Sequence, residues 1–127
     1  VWSSFIFGAL VSPICYFAIS VCKTKFGYDD ALDAFGCHGV GGAVGCILTG
    51  IFADPNVNGK VGLVLGDWHL LGSQLISIVI TVALAVVGTL ICAGIVRIFT
   101  PLRVSTEDEN TGLNDSEHGE EPYAPIM

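Results

Sequence analysis

A chain of 127 residues with 52% hydrophobic and only 13% charged side chains has too little charge for the surface of an ordinary soluble domain, in which about a quarter of residues are charged; its composition is that of a membrane protein. The formal charge of −7 is localised: residues 1–103 balance five bases against five acids, whereas residues 104–127 carry seven acids (Glu107, Asp108, Glu109, Asp115, Glu117, Glu120, Glu121) and no base. Such a tail is repelled by nucleic acid and by an anionic leaflet, and five cysteines without a Cys-x-x-Cys pair give no disulfide, metal or cofactor framework and read as small packed hydrophobes.

Three stretches lack formal charge: Val1 to Cys22, Ala34 to Ala53 and Trp68 to Val96. About 20 apolar residues cross a hydrocarbon core of about 30 Å as a helix. The sequence therefore predicts an all-α, polytopic membrane fragment with three transmembrane helices over about 1–23, 30–53 and 68–99, followed by a largely irregular tail. Two parts follow: a transmembrane part, 1–103, and an acidic tail, 104–127. No basic segment precedes the first span and no small-residue cleavage pattern closes it, so it reads as a crossing rather than a signal peptide. Its start at Val1, within an apolar run, reads as that of a fragment.

The first span contains Gly8 and Pro13; the proline removes one ladder hydrogen bond and predicts a kink that neighbouring helices can accommodate. Lys23 and Lys25 follow it, Arg97 and Arg103 close the third span, and Lys60 alone lies in the other loop. The excess of bases puts the 23–28 turn and the C-terminus in the cytoplasm, with Trp2 and Trp68 at the outer interface.

Asp29, Asp30 and Asp33 open the second span, where carboxylates cap free amides and complement the helix dipole; Asp33 lies deeper and can also organise the floor of a path. The span then carries glycine at 36, 39, 41, 42, 45 and 50. Each costs about 1 kcal/mol against alanine in a helix, and close helix approach is the usual return. Gly41 and Gly45 form a G-x-x-x-G pair, while His38, Gly42, Gly45 and Thr49 fall on a second helical stripe. His38 is an ionisable residue at membrane depth, which marks a polar pathway or a bundle interior. A neutral imidazole has one donor and one acceptor nitrogen, so it can hold a small polar molecule or relay a proton without placing a fixed cation in the way. A satisfied helix–helix contact is the other reading, and the residues alone leave both open.

The 54–67 loop is rich in turn formers, with Asn58-Gly59 suited to a positive-φ turn and Val61 to Leu65 to a short apolar segment. His69 reads as interfacial. Ser73, Ser77 and Thr81 recur every fourth residue on the third span, a weakly polar face that reads as interhelical hydrogen bonding rather than as a conduction lining.

Two motifs carry a resemblance. Asp29-Asp30-Ala31-Leu32-Asp33-Ala34-Phe35-Gly36-Cys37-His38-Gly39-Val40-Gly41-Gly42, continued by Cys46 to Ala53, closely resembles the tenth transmembrane helix of the ammonium transporter family, in the Amt branch of the Amt/Mep/Rh proteins. In the tail, Gly112-Leu113-Asn114 and His118-Gly119-Glu120-Glu121-Pro122-Tyr123 are similar to the family's G-L-D and H-G-E-x-x-Y elements. The resemblance covers essentially the whole chain, as the last three of eleven helices plus the cytoplasmic tail. It implies a homotrimer in the cell membrane, a pore through each subunit, and nitrogen uptake by transport of ammonium or ammonia. It places His38 as the second of two facing pore histidines, taking part in substrate deprotonation or proton relay, and Asp33 near the pore's inner end.

The first pore histidine, the phenylalanine gate and the outer recruitment site belong to the part upstream, so this chain alone is not expected to conduct. Asn114 stands where the family usually has aspartate, which weakens tail docking by one charge. Gly112, Leu113, Ser116, His118, Gly119 and Tyr123 are the candidate regulatory positions of the tail. Ser116 falls near a position phosphorylatable in plant relatives, where a phosphate would add about two negative charges beside Asp115 and Glu117; an ordinary solvated serine is the alternative. In bacterial relatives the tail region contributes to contact with a PII-type signalling protein, which is a possible partner here.

Two other classes compete with this reading. An intramembrane hydrolase needs a nucleophile with its base, or a metal set such as H-E-x-x-H; His38 has neither a second histidine nor a carboxylate three or four residues away, so no enzyme activity is expected. An ammonium-sensing, transporter-like protein with little flux would carry an appended output domain, and the tail to Met127 contains none.

Overall fold

The computed structural model describes residues 2–119 and contains no strand among them. Among the described residues three helices are long and apolar enough to cross a membrane: α1 (Trp2–Phe26), α2 (Phe35–Phe52) and α3 (His69–Phe99). The chain divides into two compact units between Ala83 and Leu84. The first holds α1, α2 and the beginning of α3.

Helix α1 runs through Pro13 to Phe17 as an α-helix and widens into a π turn over Ala18–Cys22. It resumes at Lys23 and stops at Gly27, whose φ of 62° is left-handed, the usual glycine stop. The Ser20 hydroxyl donates to Tyr16 O at 2.6 Å and that of Thr24 to Ser20 O at 2.8 Å. Hydroxyls competing for ladder carbonyls loosen a helix, and the wide turn forms between them.

Helix α2 begins where Asp30 caps it. The two carboxylate oxygens of Asp30 accept from the amides of Ala34 and Phe35, each at 2.9 Å. The second span, expected from about residue 30, therefore starts later, because these aspartates satisfy the helix from outside it. A π turn over Phe35–Val40 comes first, and an ordinary α-helix follows over Gly41–Phe52.

The first two helices lie side by side and antiparallel. Ile19 meets Gly36, Val11 and Cys15 meet Gly41, and Phe7 meets Phe52 with ring centroids 6.0 Å apart. A Cβ at Gly36 would sit 2.5 Å from Ile19 Cγ1, one at Gly41 would sit 3.0 Å from Cys15 Sγ, and one at Gly50 would sit 2.7 Å from Leu71 Cα of α3. These three glycines are the close approaches between the helices. Within this chain the Gly41/Gly45 pair does not act together: Gly41 is in contact, whereas a Cβ at Gly45 would meet nothing within 4 Å.

The loop after α2 is tied back to it. Asp54 caps a one-turn helix, Pro55–Asn58, by accepting from Asn56 N at 2.9 Å, and the turn closes at Gly59 with φ of 71°, as Asn58-Gly59 predicted. Gly62 N then donates to Ala53 O at 3.0 Å, and the apolar segment folds as a 3₁₀ turn over Leu63–Leu65. Asp67 opens α3 by accepting from His69 N at 2.9 Å and from the His69 ring at 2.7 Å. The amide and then the ring of His69 hold its carboxyl below the ordinary carboxylate range.

Helix α3 has 31 residues and none of them is buried. Among the described residues only Ala18, Leu48 and Ala53 are buried apolar side chains, so packing within this chain covers little of its apolar surface. That surface is matched to hydrocarbon or to further helices, which is how membrane helices differ from soluble ones. The second unit holds the rest of α3 and the tail. Ser105 caps α4 (Thr106–Thr111) by accepting from Asp108 N at 3.1 Å, and Arg103 pairs with Glu109 at 3.1 Å. Gly112, with φ of 103°, turns the chain into α5 (Leu113–His118). Two six-residue helices thus punctuate a tail that the sequence read as largely irregular.

Gly50→Ala presses a methyl group onto the Leu71 backbone, which cannot move aside as a side-chain tip can. It is expected to cost about 1–3 kcal/mol of stability in detergent, read as a lowered thermal midpoint. Gly42→Ala, with nothing within 4 Å of the new Cβ, is expected to leave the midpoint unchanged or raise it. Equal losses would contradict the packing described.

Candidate functional site

His38 lies in the π turn of α2, and its side chain faces out of this chain. Among the described residues none hydrogen-bonds its ring. Beyond it α2 presents a bare strip. A Cβ at Gly42 or at Gly45 would meet nothing within 4 Å, and the Thr49 hydroxyl turns inward to donate to Gly45 O at 2.9 Å. The strip is therefore a stretch of backbone with no polar side chain reaching outward, and an unengaged imidazole at one end.

The stripe read from a 3.6-residue period needs one correction. A π turn holds one residue more than an α turn, which rotates the preceding residues by about 100° against a uniform α-helix. Gly42, Gly45 and Thr49 keep the α register, whereas the direction of His38 is set by the π turn. Phe35, at the start of that turn, is exposed and makes an edge-on contact with Tyr28 at 5.7 Å between ring centroids.

Asp33 is brought to the same end of α2 by a bond that the sequence reading did not anticipate. Lys23 Nζ lies 2.6 Å from Asp33 Oδ1 and 2.5 Å from Asp30 O, tying the end of α1 to the start of α2. Asp33 holds φ of 54°, and among the described residues no other non-glycine has positive φ. Asparagine and aspartate tolerate that region better than most side chains. Its own carbonyl accepts from Cys37 N at 2.9 Å, the residue before His38. Charge counting used Lys23 only for orientation. The available signal was a lysine and an aspartate ten residues apart across a glycine-containing turn.

The tail positions form a separate group in the second unit. Gly112 makes the turn, Leu113 opens α5 and is exposed, and the Ser116 amide and hydroxyl each donate to Gly112 O at 3.0 Å. His118 closes α5 and Gly119 follows with φ of 63°. Tyr123 lies outside the described residues. All five cysteines are free thiols, and no group of three or more metal-ligating side chains occurs among the described residues.

Comparison with known proteins gives one consistent answer. The family model described as Ammonium Transporter Family matches residues 1–123. The chain is 42% identical over 128 residues to an ammonium transporter of Bacillus subtilis, covering 99% of this chain and 32% of that protein. It is 43% identical over 120 residues to one of Aquifex aeolicus, covering 94% and 28%. With an ammonium transporter of Archaeoglobus fulgidus it shares 42% over 118 residues, covering 93% and 30%. The chain thus spans about a third of the length of the curated relatives it matches.

Substitutions at Asp33 separate its two roles. Asp33→Asn keeps a residue suited to positive φ and removes the charge, and is expected to lower stability only slightly, as for a partly exposed ion pair. Asp33→Ala also places an ill-suited residue at φ of 54° and is expected to cost about 1 kcal/mol more. Denaturant titration in detergent measures both; equal losses would show that the left-handed turn carries no cost.

Proposed function

The chain belongs to the ammonium transporter family, and from that premise we propose that the complete protein carries ammonium or ammonia across the membrane along the bare face of α2, with His38 on the path. The observation that carries the reading is the combination on one helix of an unengaged imidazole and a strip where Gly42 and Gly45 leave backbone uncovered. Such a strip leaves room for a small molecule and offers an uncharged one no fixed ion to bind it.

The chemistry follows from the donor and acceptor pattern of imidazole. Ammonium has four N–H donors and a charge that costs a great deal in an apolar passage; ammonia has a lone pair, no charge and a far smaller penalty. The unprotonated ring nitrogen of His38 can accept a proton or a hydrogen bond from the substrate, while the N–H can donate to the lone pair of ammonia. A lysine or a carboxylate in the same place would lack one of the two functions. The proton removed from ammonium is relayed through the imidazole or carried separately.

Asp33, in this reading, supports the floor of the pore through its bond to Lys23. Family membership also supports a homotrimeric assembly in the cell membrane with the C-terminus in the cytoplasm, in keeping with four bases on that side against one on the other. The acidic tail, with Gly112, Leu113, Ser116, His118, Gly119 and Tyr123, is then the regulatory element, and a PII-type protein its candidate partner.

The test is the current evoked by an ammonium pulse across proteoliposomes containing the complete protein, beside His38→Ala at equal incorporation. Loss of the current in the variant is expected. An unchanged current would remove His38 from the path, and absence of current in both would favour neutral ammonia permeation or an ammonium-sensing protein with little flux.

A further inference from the structure

The two π turns among the described residues face each other. Ile19 lies in the π turn of α1, Ala18–Cys22, and Gly36 in that of α2, Phe35–Val40, and a Cβ at Gly36 would fall 2.5 Å from Ile19 Cγ1. One wide turn is seated against the other where glycine removes the side chain. Immediately beyond this contact Lys23, the first residue after the α1 turn, reaches Asp33 Oδ1 at 2.6 Å and Asp30 O at 2.5 Å. Both acceptors belong to the segment that starts α2. Asp30 also caps Ala34 and Phe35, and the Asp33 carbonyl holds the Cys37 amide at 2.9 Å. A continuous set of bonds therefore leads from Lys23, through the side chain and then the main chain of Asp33, to the residue next to His38.

We propose that Lys23 is a positioning residue for His38: its bonds to Asp33 and Asp30, with Ile19 seated on Gly36, fix the π turn that aims the imidazole. This rests on the reading that His38 lies on the conduction path. A π turn interrupts the regular α ladder with one extra residue, so the direction of a side chain on it depends on what is packed and bonded around it. Removing the ammonium group of Lys23 leaves Asp33 as an unpaired carboxylate at φ of 54° and gives the start of α2 freedom to relax toward a regular α turn. That relaxation turns His38 by up to about 100° relative to Gly42 and Gly45, out of the direction that the π turn gives it. Lys23 touches neither substrate nor imidazole, so the effect is on transport rate rather than on recruitment.

Proteoliposomes with the complete protein provide the test, using wild type, Lys23→Met, Lys23→Arg, His38→Ala and Lys23→Met with His38→Ala, at equal incorporation and with thermal midpoints measured. Lys23→Met is expected to lower the maximal ammonium-evoked rate about tenfold, since displacement of a working group by about 1 Å is costly, and to leave the half-saturating concentration unchanged. Lys23→Arg is expected to restore most of the rate, and the double variant to fall no further than His38→Ala. A wild-type maximal rate in Lys23→Met, with His38→Ala inactive, would overturn the positioning role and leave the functional reading standing. An unchanged rate in His38→Ala would overturn the functional reading itself. A loss in Lys23→Met that follows its thermal midpoint and is not restored by arginine would reduce Lys23 to a structural residue. Should Lys23→Met fail to incorporate, Lys23→Gln, which retains a donor for Asp30 O, is judged by the same outcomes.

Discussion

Close approach of neighbouring helices at positions without side chains is the constraint on which the rest of this structure depends. Gly36 against Ile19, Gly41 against Cys15 and Gly50 against the Leu71 backbone set the distance of α2 from α1 and from the start of α3. Within lipid the hydrophobic effect does little to draw helices together, so dispersion contacts and a few polar bonds must do so. Glycine spends helix propensity for that approach. The same composition allows the helix to open into a π turn at Phe35–Val40, and so the packing and the placement of His38 have a common origin.

Polar bonds complete what the glycines begin. Every ladder amide released at the start of α2 needs a partner, because lipid offers none; Asp30 and Asp33 provide them from side chain and main chain. Lys23 then neutralises one of the two carboxylates and crosses to the neighbouring helix. The cluster is part cap and part clamp. At the other end of α2, Gly62 and Asp54 serve the return loop in a similar way, holding both ends of the helix that bears the candidate site.

Much of this was legible in the residues. Charge-free runs placed the three crossings, because the length of a hydrocarbon core leaves few choices, and Asn58-Gly59 announced its turn. The family was legible from Asp29 to Ala53 and from two short tail elements. The π turns were not, since a 3.6-residue period assumes that they are absent; consequently the stripe through His38 was misphased while Gly42, Gly45 and Thr49 were not. Nor did spacing reveal which glycine of the 41/45 pair would touch a neighbour, a property of the partner helix and not of the motif. The Lys23–Asp33 bond was hidden for a similar reason: it joins two helices across a turn whose geometry is fixed by Gly27 and by the left-handed Asp33.

The account turns on the bare strip of α2 being the route itself. Stopped-flow measurement of the pH change that an ammonium gradient drives inside vesicles, with the complete protein carrying Gly45→Val, tests this most directly. A Cβ there would meet nothing within 4 Å in this chain, so the substitution fills the strip without touching the contacts of α2 with α1 and α3. The account predicts a rate close to that of empty vesicles. A wild-type rate in a correctly incorporated Gly45→Val protein would contradict it.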